Sequence, residues 1–204
     1  MSALWLASEP VILASGSATR RQMLEKAGVA CEVRPPEVDE RALETEALQA
    51  GRGAQDMAGL LASAKALDVS RRCPGRLVLG ADQTLTLDET PLHKPRDRAD
   101  AARQLARMAG RRHVLRSAAA LARDGAVVFE AESLAVLSVR PLSGSAIERY
   151  LEVAGDAVLA SVGGYQVEGA GVTLFDAIDG DHFTIMGLPL LPLLAWFRGE
   201  GLMP

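Results

Sequence analysis

Small polar residues and two arginines follow the first apolar run of the chain. Residues 11–14 are continuously apolar, and a helical pattern begins just after the arginines. The polar residues in between include Ser15, Ser17, Thr19, Arg20 and Arg21. This order predicts a buried strand that enters a helix N-terminus through a tight turn, where backbone N–H groups, hydroxyls and guanidinium groups favour a phosphate. Alternatively, the hydroxyls only cap the helix and the arginines are solvated.

Carboxylates follow two predicted strands. Asp82 comes at the end of the apolar run 77–81, and Asp39 and Glu40 follow the Pro35-Pro36 break after the second strand. Ligands of α/β proteins bind beyond the carboxyl ends of parallel strands, so Asp82 is a candidate general base or metal ligand. With Asp39 and Glu40 it could complete an oxygen-rich site for Mg²⁺ or Mn²⁺ and phosphate. Alternatively, Asp82 caps a turn and the other two begin a solvated helix.

Two lysines are further candidates for neutralising a phosphate. Lys65 lies within a helical pattern among small apolar residues, and Lys94 precedes Pro95 in a loop. The alternative is that both ammonium groups are simply solvated. The three histidines are widely spaced and form no zinc pattern, and no Ser-His-Asp or Cys-His set stands out.

The elements that position these residues alternate between strands and helices. Helical spacing predicts helices at 19–27, 54–69, 96–108, 145–153 and 188–198. Apolar runs predict strands at 11–14, 29–34, 77–81, near 85–87, at 114–123, 127–139 and 161–167. Asp124-Gly125 predicts a hairpin between two of them. We therefore expect an α/β fold with a mixed sheet, in one domain with two lobes, the chain crossing between the lobes near 91–98.

Composition excludes several classes of protein. The chain has 204 residues, of which 49% are hydrophobic, and a net charge of −4. This charge argues against a nucleic-acid coat or a membrane-surface protein, which are usually basic. We expect no membrane span and no signal peptide. The two cysteines, Cys31 and Cys73, form no pairing motif, which favours a reducing, cytoplasmic setting.

Eight short segments, in this order, resemble the Maf family of nucleoside triphosphate pyrophosphatases over nearly the whole chain. They read LASGSATRR (13–21), DE (39–40), AKA (64–66), LGADQ (79–83), HKP (93–95), GRRHV (110–114), SVGGY (161–165) and MGLPL (186–190). The resemblance implies an α/β fold with a two-lobed mixed sheet and flanking helices around a central groove, often as a homodimer.

The resemblance also implies an activity and its residues. The family uses a divalent cation, Mg²⁺ or Mn²⁺, to hydrolyse the bond between the α and β phosphates of nucleoside triphosphates. Asp82 matches the catalytic acid/base and also serves the metal, together with Glu40. The positions that match substrate-binding residues are Ser15, Arg20, Arg21, Lys65 and Lys94.

Three positions that separate the substrate branches of the family match Thr19, Gln83 and Glu168. Branches that prefer dTTP and UTP carry Arg, Thr and Gln there, whereas those that prefer 7-methyl-GTP carry an aromatic residue, Gln and Glu. Two of the three residues here therefore resemble the methylguanine branch. A further departure is Ala18, which stands where the family usually has proline.

Two other functions compete with the pyrophosphatase interpretation. The family is also associated with septum formation, which leaves open a nucleotide-binding regulator with little catalysis. The presence of Asp82, Glu40 and Lys94 favours an enzyme, because binding alone does not need a base beside the phosphates. A sugar-phosphate phosphatase would need a different nucleophile motif, which the sequence does not show.

Overall fold

The computed structural model describes residues 4–204. Its helices of at least one α-turn are Ala18–Lys26 (α1), Glu40–Gln49 (α2), Met57–Arg72 (α3), Arg98–Met108 (α4), Gly144–Ala154 (α5), His182–Ile185 (α6) and Leu190–Gly199 (α7). Its strands are Val11–Ala14 (β1), Cys31–Val33 (β2), Val78–Leu87 (β3), Thr90–Leu92 (β4), Arg112–Arg123 (β5), Ala126–Val139 (β6) and Phe175–Asp179 (β7). Within this part of the chain, no helix combines the length and apolar character needed to span a bilayer.

The strands form one seven-stranded mixed sheet in the order β2-β1-β3-β5-β6-β7, with β4 paired to β3. Strand β1 is parallel to both β2 and β3, whereas β4 and β7 are antiparallel to their partners. The predicted α/β class with a mixed sheet and flanking helices is therefore confirmed. Strands β5 and β6 meet at Asp124 and Gly125, both with positive φ, as the Asp-Gly pair predicts.

The chain divides into two compact units. The first comprises the described residues up to Gln83 with Ser117–Ser133 and Gly187–Pro204, and the second comprises Thr84–Arg116 and Leu134–Met186. The segment 91–98 lies inside the second unit, so the predicted crossing there is wrong. The strands β3, β5 and β6 are long enough to contribute to both units, and three of the unit boundaries fall within them. A single domain with two lobes around a groove stays a prediction.

In the first unit, helix α3 lies against the sheet through small residues. Ala58, Ala62 and Ala66 form one buried cluster with alanines of β5. Gly80 of β3 is under the same helix, and a Cβ atom built on it would lie 2.1 Å from the Ala62 carbonyl oxygen and 2.6 Å from the Ala66 nitrogen. Only a residue without a side chain permits this approach of helix and strand backbones.

We expect Gly80→Ala to destabilise the protein by at least about 1–3 kcal/mol, because the added methyl group overlaps helix backbone that cannot move away freely. Chemical denaturation followed by circular dichroism measures the change. Gly144→Ala is the matched control, since a Cβ atom at Gly144 meets no atom within 4 Å. Equal free energies of unfolding for the two variants would contradict the tight contact.

The core of the second unit is larger and more varied. It gathers leucines of β3, β5 and β6 with apolar residues of α4 and α5. His113 is buried within this unit, and its Nε2 lies 2.6 Å from the Tyr165 hydroxyl. Burial lowers the pKa of His113 to about 4, so the ring is neutral at pH 7. The Tyr150 hydroxyl donates a hydrogen bond to the Gly164 carbonyl oxygen at 3.0 Å and fixes the adjoining turn.

One predicted strand is wrong, and two others are parts of a single strand. The segment 161–167 contains a 3₁₀ turn at Val162–Gly164 and no strand. Gly163 and Gly164 take φ of 76° and 73°, which extended backbone does not allow. The runs predicted at 77–81 and 85–87 are one continuous strand, β3. Helix α2 and strands β4 and β7 are absent from the elements predicted by the sequence, since short, mostly exposed segments leave a weak periodicity.

Candidate active site

Three charged side chains meet in the first unit. The Lys65 Nζ donates a hydrogen bond to Asp82 Oδ1 at 2.6 Å and forms an ion pair with Glu40 Oε1 at 2.9 Å. Lys65 and Asp82 are only 6% and 8% exposed, whereas about half of the Glu40 side chain is in contact with solvent. One ammonium group thus holds two carboxylates, one buried and one exposed. We call Lys65, Glu40 and Asp82 together the carboxylate–lysine centre.

The contact at Gly80 explains why Lys65 reaches Asp82. Lys65 is next to Ala66, whose backbone lies over Gly80. Because side chains alternate along a strand, Asp82 is on the same face of β3 as Gly80 and faces the helix. Gly80 carries a signal that could have revealed this contact from sequence, since glycine inside a buried strand marks close backbone approach.

Glu40 comes to the centre from the start of helix α2. The Asp39 carboxylate is the N-cap of this helix and accepts a hydrogen bond from the Ala42 N–H at 3.0 Å. Asp39 therefore caps the helix, as expected from the alternative that Asp39 and Glu40 begin a helix. It does not join Glu40 in the carboxylate–lysine centre. Glu40 is the first helical residue, so its carboxylate is exposed and free to turn toward Lys65.

Asp82 does not end a strand, contrary to the sequence prediction, but lies in the interior of β3. The parallel neighbour β1 ends at Ala14, which pairs with Gly80. Asp82 therefore lies beyond the carboxyl end of β1 although its own strand continues. This is the edge at which α/β sheets bind ligands, so the argument for a functional carboxylate still applies.

The turn between β1 and α1 holds Arg20 beside Asp82. Ser17 is the N-cap of α1, and its hydroxyl accepts a hydrogen bond from the Arg20 N–H at 3.3 Å. The Arg20 Nη1 donates to the Ser15 hydroxyl at 3.1 Å and to the Ala81 carbonyl oxygen at 2.9 Å. Both serines thus have a structural role in this turn, and Arg20 is fixed by backbone and side-chain acceptors. The helix begins at Ala18 without the proline that the family usually has there.

Burial and charge oppose each other at this site. Burial raises the pKa of Asp82 above its ordinary value, and the positive charges of Lys65 and Arg20 act in the opposite direction. Burial lowers the pKa of Arg20, while Asp82 and Glu40 raise it. The guanidinium group remains protonated at neutral pH. A carboxylate with a raised pKa beside fixed positive charge is suited to accept a proton during hydrolysis.

The carboxylate–lysine centre also fits a divalent cation that is bound together with substrate. Among residues 4–204, no cluster of three or more His, Cys, Asp or Glu side chains is arranged to hold a metal ion. Mg²⁺ is usually bound by only one or two carboxylates, with substrate phosphates and water completing its shell. Glu40 and Asp82 supply such a pair, since one oxygen of each lies within 3 Å of a single nitrogen.

The other predicted substrate residues are not part of this centre. Arg21 is exposed and forms an ion pair with Glu25 at 3.4 Å, which agrees with the alternative of a solvated arginine. Thr19 is half-buried on α1. Lys94 belongs to the second unit, where it is exposed in the loop after β4.

Gln83 and Arg20 each have a partner that the sequence analysis did not predict for them, namely Ser117 and Gly187. The Gln83 Nε2 donates to the hydroxyl of Ser117, which is fully buried on β5, at 3.1 Å. The Gly187 carbonyl oxygen accepts a hydrogen bond from Arg20 Nε at 2.8 Å. A Cβ atom at Gly187 would lie 3.5 Å from both the Arg20 guanidinium and Gln83 Oε1. Nothing in the local sequence reveals that Ser117 and Gly187 hold these side chains, because their partners are distant in the chain.

Glu168 lies in an exposed turn of the second unit and not at the end of a strand. The turn follows Tyr165, which His113 holds in the core of that unit. The Glu168 carboxylate is therefore exposed to solvent, while the start of its turn is held in the core.

The mixed α/β fold and a carboxylate–lysine centre next to a helix N-terminus define a protein suited to phosphate chemistry. Comparison with known sequences agrees. The model of the family described as Maf-like protein matches residues 10–200, and the chain belongs to this family. The resemblance noted in the sequence is thereby confirmed.

The similarity to named relatives extends over almost the full length. The chain is 52% identical over 200 residues to the nucleoside triphosphate pyrophosphatase of Rhodopseudomonas palustris, covering 98% of both chains. It is 50% identical over 194 residues to the 7-methyl-GTP pyrophosphatase of Mesorhizobium japonicum, covering 95% of this chain and 98% of the relative. The relative in Brucella suis that carries the same name is 48% identical over 190 residues, covering 93% of this chain and 96% of the relative.

Proposed function

We propose that this protein is a nucleoside triphosphate pyrophosphatase, which hydrolyses its substrate to a nucleoside monophosphate and pyrophosphate. The observation that supports this most is the buried pair of Asp82 and Lys65 with Glu40 at its open side. Full-length relatives at about 50% identity are named for this activity or for its 7-methyl-GTP form. A protein that only bound nucleotides would not need a buried carboxylate beside the phosphates.

In this proposal Asp82 is the general base. Its carboxylate accepts a proton from the water molecule whose oxygen forms a bond to phosphorus, while the bond between the α and β phosphates breaks and pyrophosphate leaves. The raised pKa of Asp82 brings its basicity nearer to neutral pH, which favours this role. Before metal and substrate bind, Lys65 fixes the carboxylate through the hydrogen bond to Oδ1.

The phosphates are bound by the turn before α1. The N–H groups at this helix start and the Arg20 guanidinium favour the negative charge of a phosphate chain. Ser15 orients Arg20 through its hydroxyl. We further propose that Arg21 and Lys94, both exposed, bind substrate as the family resemblance implies.

Glu40 and Asp82 would hold a divalent cation, Mg²⁺ or Mn²⁺, with the substrate. When bound, the cation would neutralise the charge that develops on the phosphate oxygens. Glu40 suits this role because half of its side chain is open to solvent. The homodimer, the absence of a nucleic-acid partner and the cytoplasmic setting remain predictions from the sequence.

The products test the proposal. We expect incubation with a nucleoside triphosphate and Mg²⁺ to release equal amounts of monophosphate and pyrophosphate, separated by anion-exchange chromatography. A nucleoside diphosphate with free orthophosphate would contradict the proposed bond. A panel of canonical and methylated triphosphates in the same assay defines the preferred base.

We propose that Glu168 contributes to a preference for guanine-type bases, including 7-methylguanine. A carboxylate accepts hydrogen bonds from guanine N1–H and the 2-amino group. Neither uracil nor thymine offers both of these donors. We expect Glu168→Gln to narrow the ratio of kcat/KM between 7-methyl-GTP and UTP by about tenfold, because the amide also donates to a pyrimidine carbonyl.

Glu148→Gln is the matched control for this variant, since Glu148 is an exposed glutamate of the same unit. The control should keep the wild-type ratio. If Glu168→Gln also keeps it, Glu168 does not read the base.

A further inference from the structure

Among residues 4–204, Lys65 is the only lysine whose ammonium group contacts the carboxylates proposed to serve the metal. Its Nζ contacts both carboxylates at bonding distance, and its side chain is nearly inaccessible to solvent. We propose that Lys65 is the resident counter-cation of Glu40 and Asp82, and that it transfers to the substrate's phosphates when a divalent cation takes its place, so that metal and polyphosphate bind cooperatively. This inference rests on the proposed function.

The carboxylate pair needs a cation at all times. Asp82 is buried, and two carboxylates that share one site repel each other unless a positive charge lies between them. A buried charge that loses its partner is strongly destabilised. Lys65 satisfies this need in the protein without metal, with a 2.6 Å hydrogen bond to the buried member of the pair.

A divalent cation and Lys65 compete for this pair. Two cations within bonding distance of the same oxygens repel strongly in a site that is largely closed to solvent. The metal therefore binds weakly unless Lys65 has another anionic partner. A phosphate chain supplies that partner, because its oxygens accept charge-assisted hydrogen bonds from an ammonium group.

The turn before α1, which we propose to bind the phosphates, lies close to Asp82, so Lys65 has only a short distance to move. The Arg20 Nη1 donates to the carbonyl oxygen of Ala81, the residue just before Asp82. Arg20 and Lys65 both act on the Asp82 carboxylate through their charges. A phosphate chain that binds at Arg20 thus approaches the carboxylate that holds Lys65. By linkage, the metal raises pyrophosphate affinity by the same factor by which pyrophosphate raises metal affinity.

Pyrophosphate binding without metal tests the exchange. Calorimetric titrations in EDTA would compare wild type, Asp82→Asn, Lys65→Met and the double variant. We expect Asp82→Asn to bind pyrophosphate about tenfold more tightly than wild type, because Lys65 is released from its buried partner. In the Lys65→Met background the same substitution should give a clearly smaller gain.

The double-variant cycle separates the exchange from a general field effect. Removing one negative charge favours anion binding in any background, so the exchange is measured by the difference between the two gains. A gain of the same size without Lys65 would overturn the proposal, as would no gain in the wild-type background. Lys26→Met is the control for charge, because Lys26 is exposed at the end of α1. It should leave the gain from Asp82→Asn unchanged.

A second measurement uses the folded wild type and so does not depend on the stability of the variants. The chain has three lysines, at positions 26, 65 and 94. Side-chain NMR of ¹⁵N-lysine protein therefore gives few ammonium signals, and the Lys26→Met variant identifies one of them. We expect the Lys65 signal to move when Mg²⁺ and pyrophosphate are added together and to stay in place with Mg²⁺ alone.

An unmoved Lys65 signal while calorimetry shows pyrophosphate bound would overturn the exchange but leave the proposed function intact. Failure of the wild type to bind pyrophosphate in the presence of Mg²⁺ would instead contradict the proposed function.

Discussion

Asp82→Asn is expected to reduce kcat by roughly a hundredfold or more while the fold is retained, since general-base catalysis contributes factors of this size. Asparagine has nearly the shape of aspartate but has no negative charge and cannot accept the proton from water. Glu40 still pairs with Lys65 in this variant, so the ammonium group is not left without a partner. The expected loss is therefore chemical and not structural.

Steady-state hydrolysis of a nucleoside triphosphate measures the loss, and circular dichroism checks the fold. Asp68→Asn is the matched control, because Asp68 is an aspartate of α3 whose ion pair with Arg72 lies at the surface. The control should keep kcat near the wild-type value. Turnover close to wild type in a folded Asp82→Asn protein would remove Asp82 from the mechanism.

The part of the site that is local in sequence could be predicted. The change from an apolar run to small polar residues at 15–17 predicts the strand, the turn and the start of helix α1, and the structure confirms each. The pair Asp124-Gly125 likewise predicts the hairpin of β5 and β6. In both cases the physical signal lies in residues next to the feature, namely a capping hydroxyl or a turn that needs positive φ.

The position of Asp82 shows why a strand end is harder to predict. The change from a continuous to an alternating apolar pattern at Asp82 has two physical causes that look alike in one sequence. A strand ends there, or it continues while its neighbour ends. The structure shows the second, since β1 pairs only as far as Gly80 whereas β3 continues to Leu87. The sequence of β3 alone contains no information on the length of β1.

The sequence predicted only part of the long-range contacts of the site, because it grouped Glu40 with Asp82 but did not add Lys65 to them. The resemblance to the Maf family marked Lys65, Glu40 and Asp82, but not that one nitrogen contacts both carboxylates. That contact depends on Gly80, which lets helix and strand approach. The predicted strand at 161–167 was wrong because Gly163 and Gly164 take positive φ, which the apolar pattern of this segment does not reveal.

Removal of divalent cations is expected to lower kcat by roughly a hundredfold or more and to leave the melting temperature almost unchanged. The two effects separate because of Lys65. Its ammonium group neutralises Glu40 and Asp82 when no metal is bound, so the folded state does not need the metal. Hydrolysis does, because Lys65 alone cannot neutralise both the carboxylates and the charge that develops on the phosphates.

Activity in EDTA, followed by titration with Mg²⁺ or Mn²⁺, measures the first effect, and thermal melts with and without EDTA measure the second. Addition of the metal should restore kcat. EDTA that is already saturated with an equal amount of Ca²⁺ provides the control for an effect of the chelator itself. Full activity in EDTA would contradict metal-assisted hydrolysis. A large fall in melting temperature without metal would show that Lys65 does not suffice as counter-cation, and that the carboxylates depend on the metal for the fold as well as for the reaction.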